Sequence, residues 1–195
     1  MDDTTQISVL PLTPDRWNDL ERLFGERGAC GGCWCMYWRL RRAEFNLMKG
    51  TQNRQALHNL AMASGTPGLL GYRGEQPVGW VALAPRSDYP TLERSRILSP
   101  VDDQPVWSIV CFYVDRHFRR SGLTVQLLHG VIDYARQQGA NMLEGYPVDP
   151  KGESLPPVFV YTGLAPAFLQ AGFVEVARRS PTRPIMRLSL EKLSK

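Results

Sequence analysis

The sequence predicts an α/β domain built on a mixed β-sheet, and three neighbouring segments carry this prediction. Val106–Val114 is the most apolar run and is nearly continuous rather than alternating, which is typical of a central strand covered on both faces. Leu123–Gln138 carries its apolar residues at helical spacing, and the short segment Met142–Tyr146 predicts a further strand. Because a strand–helix–strand connection joins strands by a crossover, these segments form the centre of the fold.

The other elements follow in order from apolar spacing and from turn residues. A strand, two helices and a hairpin come before the central strand, and a helix and two strands come after the crossover. The predicted elements are the strand Ile7–Leu12, a helix from Pro14 to Gly25 with Thr13 as its cap, the helix Asn53–Ser64, the strands Gly68–Arg73 and Val78–Ala84, the helix Leu164–Gln170, and the strands Phe173–Ala177 and Ile185–Leu190. We expect one domain over residues 1–195.

Composition and charge exclude several classes of protein. Lys plus Arg number 23 and Asp plus Glu 19, so the formal net charge is only +4, whereas a nucleic-acid binder usually shows a dense basic stripe. No apolar run approaches the roughly 18 to 20 residues that span a bilayer, and the acidic start lacks the features of a secretory signal. Four Cys residues are too few for a disulfide-dense secreted chain. We therefore expect a soluble, cytoplasmic domain with reduced thiols that binds neither nucleic acid nor membrane.

A candidate anion-binding loop lies between the central strand and the crossover helix, at Arg119-Arg120-Ser121-Gly122-Leu123-Thr124. The N-terminus of a helix presents unpaired N–H groups and a partial positive charge, and a glycine lets the backbone approach a phosphate closely. Arg119 and Arg120 add positive charge at this point. The alternative is an ordinary loop with solvated arginines and a Ser or Thr that caps the helix.

The same residues resemble the loop of the GNAT (Gcn5-related) N-acetyltransferases, which is Gln/Arg-x-x-Gly-x-Gly/Ala between a long central strand and an amphipathic helix. Thr124 departs from the last small position of that pattern. Phe112-Tyr113-Val114 at the end of the strand and the later Ala171-Gly172-Phe173 also resemble the family, and the element order agrees from Ile7 to Leu190. The resemblance implies the acyl-CoA N-acyltransferase fold, a mixed central sheet with helices on both faces and two splayed strands around the crossover helix.

The resemblance also implies a reaction, the transfer of an acetyl group from acetyl-CoA to a primary amine by direct attack in a ternary complex, without a metal. The pantetheine arm would pair with the backbone near Phe112 and Val114, and an N–H near Val114 would stabilise the oxyanion. The pyrophosphate would be bound by the loop residues Arg119, Arg120, Ser121, Gly122, Leu123 and Thr124. The alternative is a non-catalytic acyl-CoA-binding or regulatory module, and both a monomer and a homodimer remain open.

The catalytic pattern of the family is incomplete in this sequence. Many members carry a Tyr four residues before the Gly-Phe pair, where this chain has Phe168, which cannot donate a proton. Tyr161 is the candidate substitute for that acid, and a half-buried aromatic residue is the alternative. Glu144 is the candidate base, since Glu is unusual in a strand and partial burial would suit a base. A solvent-facing or salt-bridged Glu is the alternative.

Cys30–Arg39 is an unusual segment, rich in Cys and Trp. Its Cys-x-x-Cys-x-Cys pattern would suit a zinc site or a redox pair, but a structural zinc needs four ligands. The favoured interpretation is an apolar, thiol-rich wall. By resemblance, the segment after the first helix often forms one side of the acceptor pocket, so we expect substrate contacts or plain core at Trp34, Met36 and Trp38. The polar insertion Pro85–Pro105 is expected to fold over the acceptor side.

Overall fold

A seven-stranded mixed sheet forms the centre of the fold in the computed structural model, which describes residues 6–63, 65–152 and 155–191. The strands run in the spatial order β1-β2-β3-β4-β5-β7-β6, and β4 and β5 are parallel whereas the other neighbours are antiparallel. The predicted mixed sheet is therefore confirmed. The strands are β1 (Ser8–Pro11), β2 (Gly68–Arg73), β3 (Gln76–Pro85), β4 (Trp107–Val114), β5 (Met142–Gly145), β6 (Val174–Arg178) and β7 (Pro184–Ser189).

Helices cover both faces of the sheet, as expected. On one face the first helix packs against β3, and the Cys- and Trp-rich segment joins the same apolar cluster. On the other face the crossover helix packs against β1, β3 and β4 and contacts the last helix. The helices are α1 (Trp17–Phe24), α2 (Arg42–Leu47), α3 (Thr51–Met62), α4 (Pro90–Glu93), α5 (Leu123–Gln137) and α6 (Ala165–Gln170). None of the described helices is long and apolar enough to cross a membrane.

Two short helices and the start of α1 differ from the prediction. α2 and α4 each bury a single side chain, Phe45 and Leu92, so neither carries the apolar periodicity that identifies a helix in a sequence. The turn before α1 is a 3₁₀ helix, and Thr13 accepts a hydrogen bond from the Arg16 guanidinium rather than capping the helix. The predicted last residue of α3, Ser64, lies outside the described residues.

The parallel strands β4 and β5 diverge after a short common stretch. Their pairing runs only from Trp107 opposite Leu143 to Ile109 opposite Gly145. Immediately afterwards β4 carries an extra residue, Val110, relative to its other neighbour β3. Such a bulge bends a strand and increases its local twist. The second half of β4 is consequently turned away from β5, and its backbone on that side is left without a strand partner.

The gap between the diverging strands is spanned by residues 160–165, which we call the bridging segment. On the β4 side the N–H of Phe112 donates to the carbonyl of Tyr161 at 2.6 Å. On the other side the N–H of Val148 donates to Gly163 at 2.9 Å, and the N–H of Ala165 donates to Val148 at 2.9 Å. The bridging segment thus connects the continuation of β5 to the middle of the diverging part of β4.

Candidate functional site

The loop between β4 and α5 has the backbone geometry of an anion-binding nest. Arg120 has φ of 62° and Gly122 has φ of 76°, so the chain turns through two left-handed residues just before the 15-residue helix α5. Within the described part of the chain, the backbone N–H groups of residues 119–124 have no hydrogen-bond acceptor. A row of free donors at the positive end of a helix favours a bound phosphate.

The side chains of the loop hold its shape but leave the donors open. Arg119 Nε donates to the carbonyl of Val114 at 3.1 Å, and Ser121 Oγ donates to the carbonyl of Phe118 at 2.6 Å. The cap position of α5 is Gly122, and no side chain caps the helix. The alternative of a Ser or Thr cap is therefore wrong. Arg120 is exposed and forms no ion pair with a described carboxylate, so its charge is available to a ligand.

The two β4 positions expected to pair with pantetheine differ in their present partners. The N–H of Phe112 already donates to Tyr161 of the bridging segment. Because successive residues of a strand alternate in direction, the N–H of Val114 points to the same side, away from β3. The carbonyl of Val114 accepts the bond from Arg119. A ligand in this gap would therefore find Val114 open and would have to compete with Tyr161 for Phe112.

The ring of Phe168 fills the position at which many family members carry a Tyr. It is fully buried and contacts Phe112 and Phe173 edge-on, with ring centroids 6.0 and 5.0 Å apart. Two glycines make room for it, since a Cβ on Gly145 would lie 2.1 Å from the ring and a Cβ on Gly163 would lie 2.8 Å from it. Close packing on all sides explains why this position holds a hydrocarbon ring, which supplies no proton.

Tyr161 lies on the opposite side of the bridging segment from this ring cluster, among the residues of the Cys- and Trp-rich face. Its side chain is half-buried, and its ring centroid is 6.3 Å from that of Tyr37. Burial raises the pKa of the Tyr161 phenol well above its usual range. The phenol is therefore protonated at neutral pH, and it is a weaker acid than a free tyrosine.

Glu144 is more deeply buried than expected, with no exposed surface at all. One carboxylate oxygen accepts hydrogen bonds from Arg86 Nη1 at 3.0 Å and from the Tyr146 hydroxyl at 2.6 Å. The other oxygen accepts from Arg187 Nε at 2.7 Å. The salt-bridged alternative describes this geometry, whereas the expected partial burial was wrong. Because both oxygens are occupied by strong donors, the contacts of Glu144 favour a structural role over that of a base.

The ion pairs of Glu144 also anchor the insertion that precedes β4. Arg86 begins the insertion and donates to the carbonyl of Leu98 at 2.7 Å, while Arg187 on β7 binds both oxygens of Asp102 at 2.7 and 3.0 Å. These hydrogen bonds lower the pKa of Asp102 below its usual range. Sequence reasoning missed both arginines, although a charged residue inside the apolar run of β7 was a usable signal. A buried network of charged side chains thus holds the insertion against β5 and β7.

The three proposed substrate contacts lie in the apolar core. Trp34, Met36 and Trp38 are all buried in the cluster beneath α1, and the rings of Trp34 and Trp17 are stacked with centroids 6.1 Å apart. Trp34 has φ of 43°, in the left-handed region, so packing holds the backbone in a conformation that a bulky residue rarely adopts. Their burial matches the plain-core alternative, and contact with substrate stays a prediction.

Three of the four thiols lie next to one another between this segment and β4. Cys35 Sγ is 3.2 Å from Cys111 Sγ, and the neighbouring Cys33 thiol contacts Cys35. The hydrogen bond to Cys111 and burial raise the pKa of the Cys35 thiol. The described cysteines are all free, Cys30 being exposed. No group of three or more His, Cys, Asp or Glu side chains in the described ranges is arranged to hold a metal ion.

Taken together, these features fit an elongated ligand that carries an anionic group at one end. Free N–H donors mark the anionic end, and the diverging edge of β4 leads from there into the middle of the sheet. The family model described as acetyltransferase (GNAT) family matches residues 34–149, which is more than half of the chain. The chain belongs to the GNAT acetyltransferase family.

Solved structures of low sequence identity share the fold over almost the whole chain. yncA from Salmonella typhimurium, solved with its cofactor acetyl-CoA, is 14% identical with a TM-score of 0.54, covering 97% of this chain and 96% of that chain. The paia N-acetyltransferase from Thermoplasma acidophilum, in complex with coenzyme A, is 11% identical with a TM-score of 0.51, covering 94% and 99%. A GNAT-family acetyltransferase from Streptococcus agalactiae is 11% identical with a TM-score of 0.57, covering 95% and 96%. Among curated proteins none matches the chain.

Proposed function

We propose that this chain transfers an acetyl group from acetyl-CoA to a primary amine by direct attack in a ternary complex. The observation that carries the proposal is the row of unpaired N–H groups at residues 119–124, at the start of α5 and beside the diverging edge of β4. The pyrophosphate of acetyl-CoA fits such a row, and the exposed Arg120 adds charge. The loop residues Arg119, Arg120, Ser121, Gly122, Leu123 and Thr124 would form this part of the site.

The residues on β4 and the bridging segment would serve the acyl end. Acetyl-CoA supplies an already activated thioester, so the protein mainly has to position the amine and stabilise negative charge on the carbonyl oxygen. The N–H of Val114 points into the gap and is the proposed oxyanion donor. Tyr161 holds a proton that can pass to the departing sulfur when the C–N bond forms and the C–S bond breaks. Its half-buried position beside the diverging part of β4 supports this role.

Glu144 is the candidate for the general base among the described residues. Glu144 remains a prediction for that role, but its bonds to Arg86 and Arg187 oppose it, because they hold the charged carboxylate in place. An amine that arrives in its neutral form would need no base from the protein. In that case activity would rise with pH until the acceptor in solution has changed from ammonium to neutral amine, since only the neutral form attacks.

The competing proposal is a non-catalytic acyl-CoA-binding module, which the hydrocarbon ring of Phe168 favours. Turnover separates the two proposals, because an enzyme releases CoA when an amine is supplied and a binding module does not. We would measure thiol release from acetyl-CoA in the presence of a panel of primary amines. The enzyme proposal predicts amine-dependent release, and tight acetyl-CoA binding without release from any amine would favour the module.

The role of Tyr161 is tested in the same assay with Tyr161→Phe. Loss of the proton donor is expected to lower kcat by about 100-fold, within the range usual for general acid catalysis, with a smaller change in KM. The matched control is Tyr134→Phe, which removes a hydroxyl from a half-buried Tyr in the C-terminal part of α5, where its ring contacts Trp107. Equal kcat in wild type and Tyr161→Phe would remove Tyr161 from the mechanism.

A further inference from the structure

Arg183 is a partly buried guanidinium without a carboxylate partner. It lies in the turn that connects β6 to β7, and its Nη1 donates to the Thr162 hydroxyl at 3.3 Å. It forms no ion pair with any carboxylate of the described residues. Burial lowers the pKa of Arg183, because the surroundings remove water from the charge without supplying an opposite one.

Other arginines near this turn are satisfied by the protein itself. Arg178, at the end of β6, binds Glu175 and Asp149, and Arg187 on β7 binds two carboxylates. Arg179 donates to the carbonyls of residues 99 and 100. A buried charge usually costs stability unless it is paired. Arg183 with only a hydroxyl therefore has the donor capacity left for an anion that comes from outside the chain.

The position of Arg183 places it beside the proposed acyl site. Its partner Thr162 belongs to the bridging segment, next to Tyr161, whose carbonyl is bound to Phe112 in the diverging part of β4. The ring of Tyr161 lies 6.3 Å from that of Tyr37, between centroids, and both rings pack against the apolar cluster that contains the Cys- and Trp-rich segment. The guanidinium thus lies on the side of the sheet from which an acceptor could approach the gap.

We propose that Arg183, with the hydroxyl of Thr162 beside it, binds a carboxylate of the acceptor, so that the substrate class is amines that carry a carboxylate, such as amino acids. The guanidinium matches a carboxylate through two parallel N–H bonds, and the Thr162 hydroxyl can supply a further donor. This inference rests on the proposed acetyl transfer. It adds to it the chemical identity of the acceptor and the residue that selects it.

The first test compares matched acceptors in the thiol-release assay. Glycine, β-alanine, 4-aminobutyrate and lysine are each paired with the corresponding amide, which keeps the amine and removes the negative charge. We expect kcat/KM for at least one acid to exceed that of its amide by roughly 10- to 100-fold, the range of one or two hydrogen bonds to a charged group. Turnover of the amides as fast as, or faster than, the acids would overturn the inference.

Variants of Arg183 connect that preference to the side chain. Arg183→Gln should remove the preference for acids by bringing kcat/KM for each acid down to about that of its amide, mainly through a higher KM. Arg183→Lys should recover part of the preference for acids, because an ammonium group keeps the positive charge but lacks the two parallel N–H donors of the guanidinium. Arg136→Gln on α5 is the matched control, since it removes the same charge from an exposed residue outside the site. An unchanged preference in Arg183→Gln would contradict the inference, and melting curves check that each variant folds.

A binding experiment keeps this inference separable from the proposed function. The side-chain N–H resonance of Arg183, assigned by its loss in Arg183→Gln, is followed by NMR during titration with the acids and with their amides. Movement with acids alone supports the carboxylate site even if no acceptor turns over. No movement with any acid overturns it even if acetyl transfer occurs. Acetyl-CoA binding in the same sample decides the proposed function independently.

Discussion

Glu144 shows how a single residue can resemble a catalytic group in sequence and serve another purpose in the fold. Its place inside a strand marks it as exceptional, and that signal is real. The reason for the exception is charge pairing between β5, β7 and the insertion, through Arg86 and Arg187. A carboxylate without solvent contact is tolerated because each oxygen receives a charged donor.

Replacing Glu144 by Gln should therefore destabilise the fold. The variant removes the one fully buried counter-ion of two guanidinium groups and leaves them only the more exposed Glu93 and Asp102, which costs about 3 kcal/mol in the free energy of unfolding. Urea unfolding measures this loss. Glu93→Gln is the matched control, because Glu93 pairs with the same Arg86 but is half-exposed, so its loss should cost less than about 1 kcal/mol. Normal stability together with abolished turnover in Glu144→Gln would restore Glu144 as the base.

At the scale of elements, the divergence of β4 and β5 depends on how the ring of Phe168 is accommodated. Gly145 at the end of β5 lets the ring lie directly against the backbone. The ring in turn packs against Phe112 on β4, so α6, β4 and β5 are fixed relative to one another at the point where the gap opens. Shape complementarity at one glycine therefore helps to set the width of the gap.

Gly145→Ala should cost about 3 kcal/mol in unfolding free energy, because its Cβ would overlap the Phe168 ring. The loss should shrink when Gly145→Ala is combined with Phe168→Leu, which a double-mutant cycle in urea measures. Gly65→Ala is the control, since a Cβ there meets open space and the backbone has no positive φ. Additive effects of the two substitutions would show that the ring contact does not set the cost.

The helices and strands could be predicted where burial gives the sequence a regular spacing of apolar residues. The part of the site that is formed by backbone groups could also be predicted. α5 and β4 carry long apolar patterns, and the anion-binding loop follows from a glycine before a helix. Side-chain partners were not predictable, because Arg86 and Arg187 reach Glu144 from positions 58 and 43 residues away. The sequence did not single out Arg183 for the same reason. Whether an arginine has a carboxylate partner depends on how the turn packs in the folded chain.

For the whole molecule, the buried phenols make the free energy of unfolding decrease at alkaline pH. Burial raises the pKa of Tyr89, Tyr146 and Tyr161 above their unfolded value of about 10. The folded chain therefore keeps protons that the unfolded chain loses, so this stability is fully present below about pH 10 and declines as pH rises further. Each such phenol can add up to about 1.4 kcal/mol per pH unit to the decline.

Urea unfolding of the reduced protein at a series of alkaline pH values tests this expectation. The free energy of unfolding should fall steadily above about pH 10, and Tyr89→Phe should make the fall less steep, because one buried phenol no longer titrates in the unfolded chain. Tyr134→Phe is the comparison, as it removes a hydroxyl from a less buried ring. Stability that is constant from about pH 9 to 11 would be incompatible with buried, protonated phenols.

The most direct test of the central claim is the binding of acetyl-CoA, measured by titration calorimetry on the wild type, Arg120→Glu and Arg136→Glu. Both variants reverse one exposed arginine, but only Arg120 lies in the loop with the free N–H groups. We predict micromolar binding to the wild type and to Arg136→Glu, and a loss of about 2 kcal/mol, close to 30-fold, in Arg120→Glu. Absence of binding to the wild type, or equal binding to both variants, would contradict the placement of acetyl-CoA on this loop.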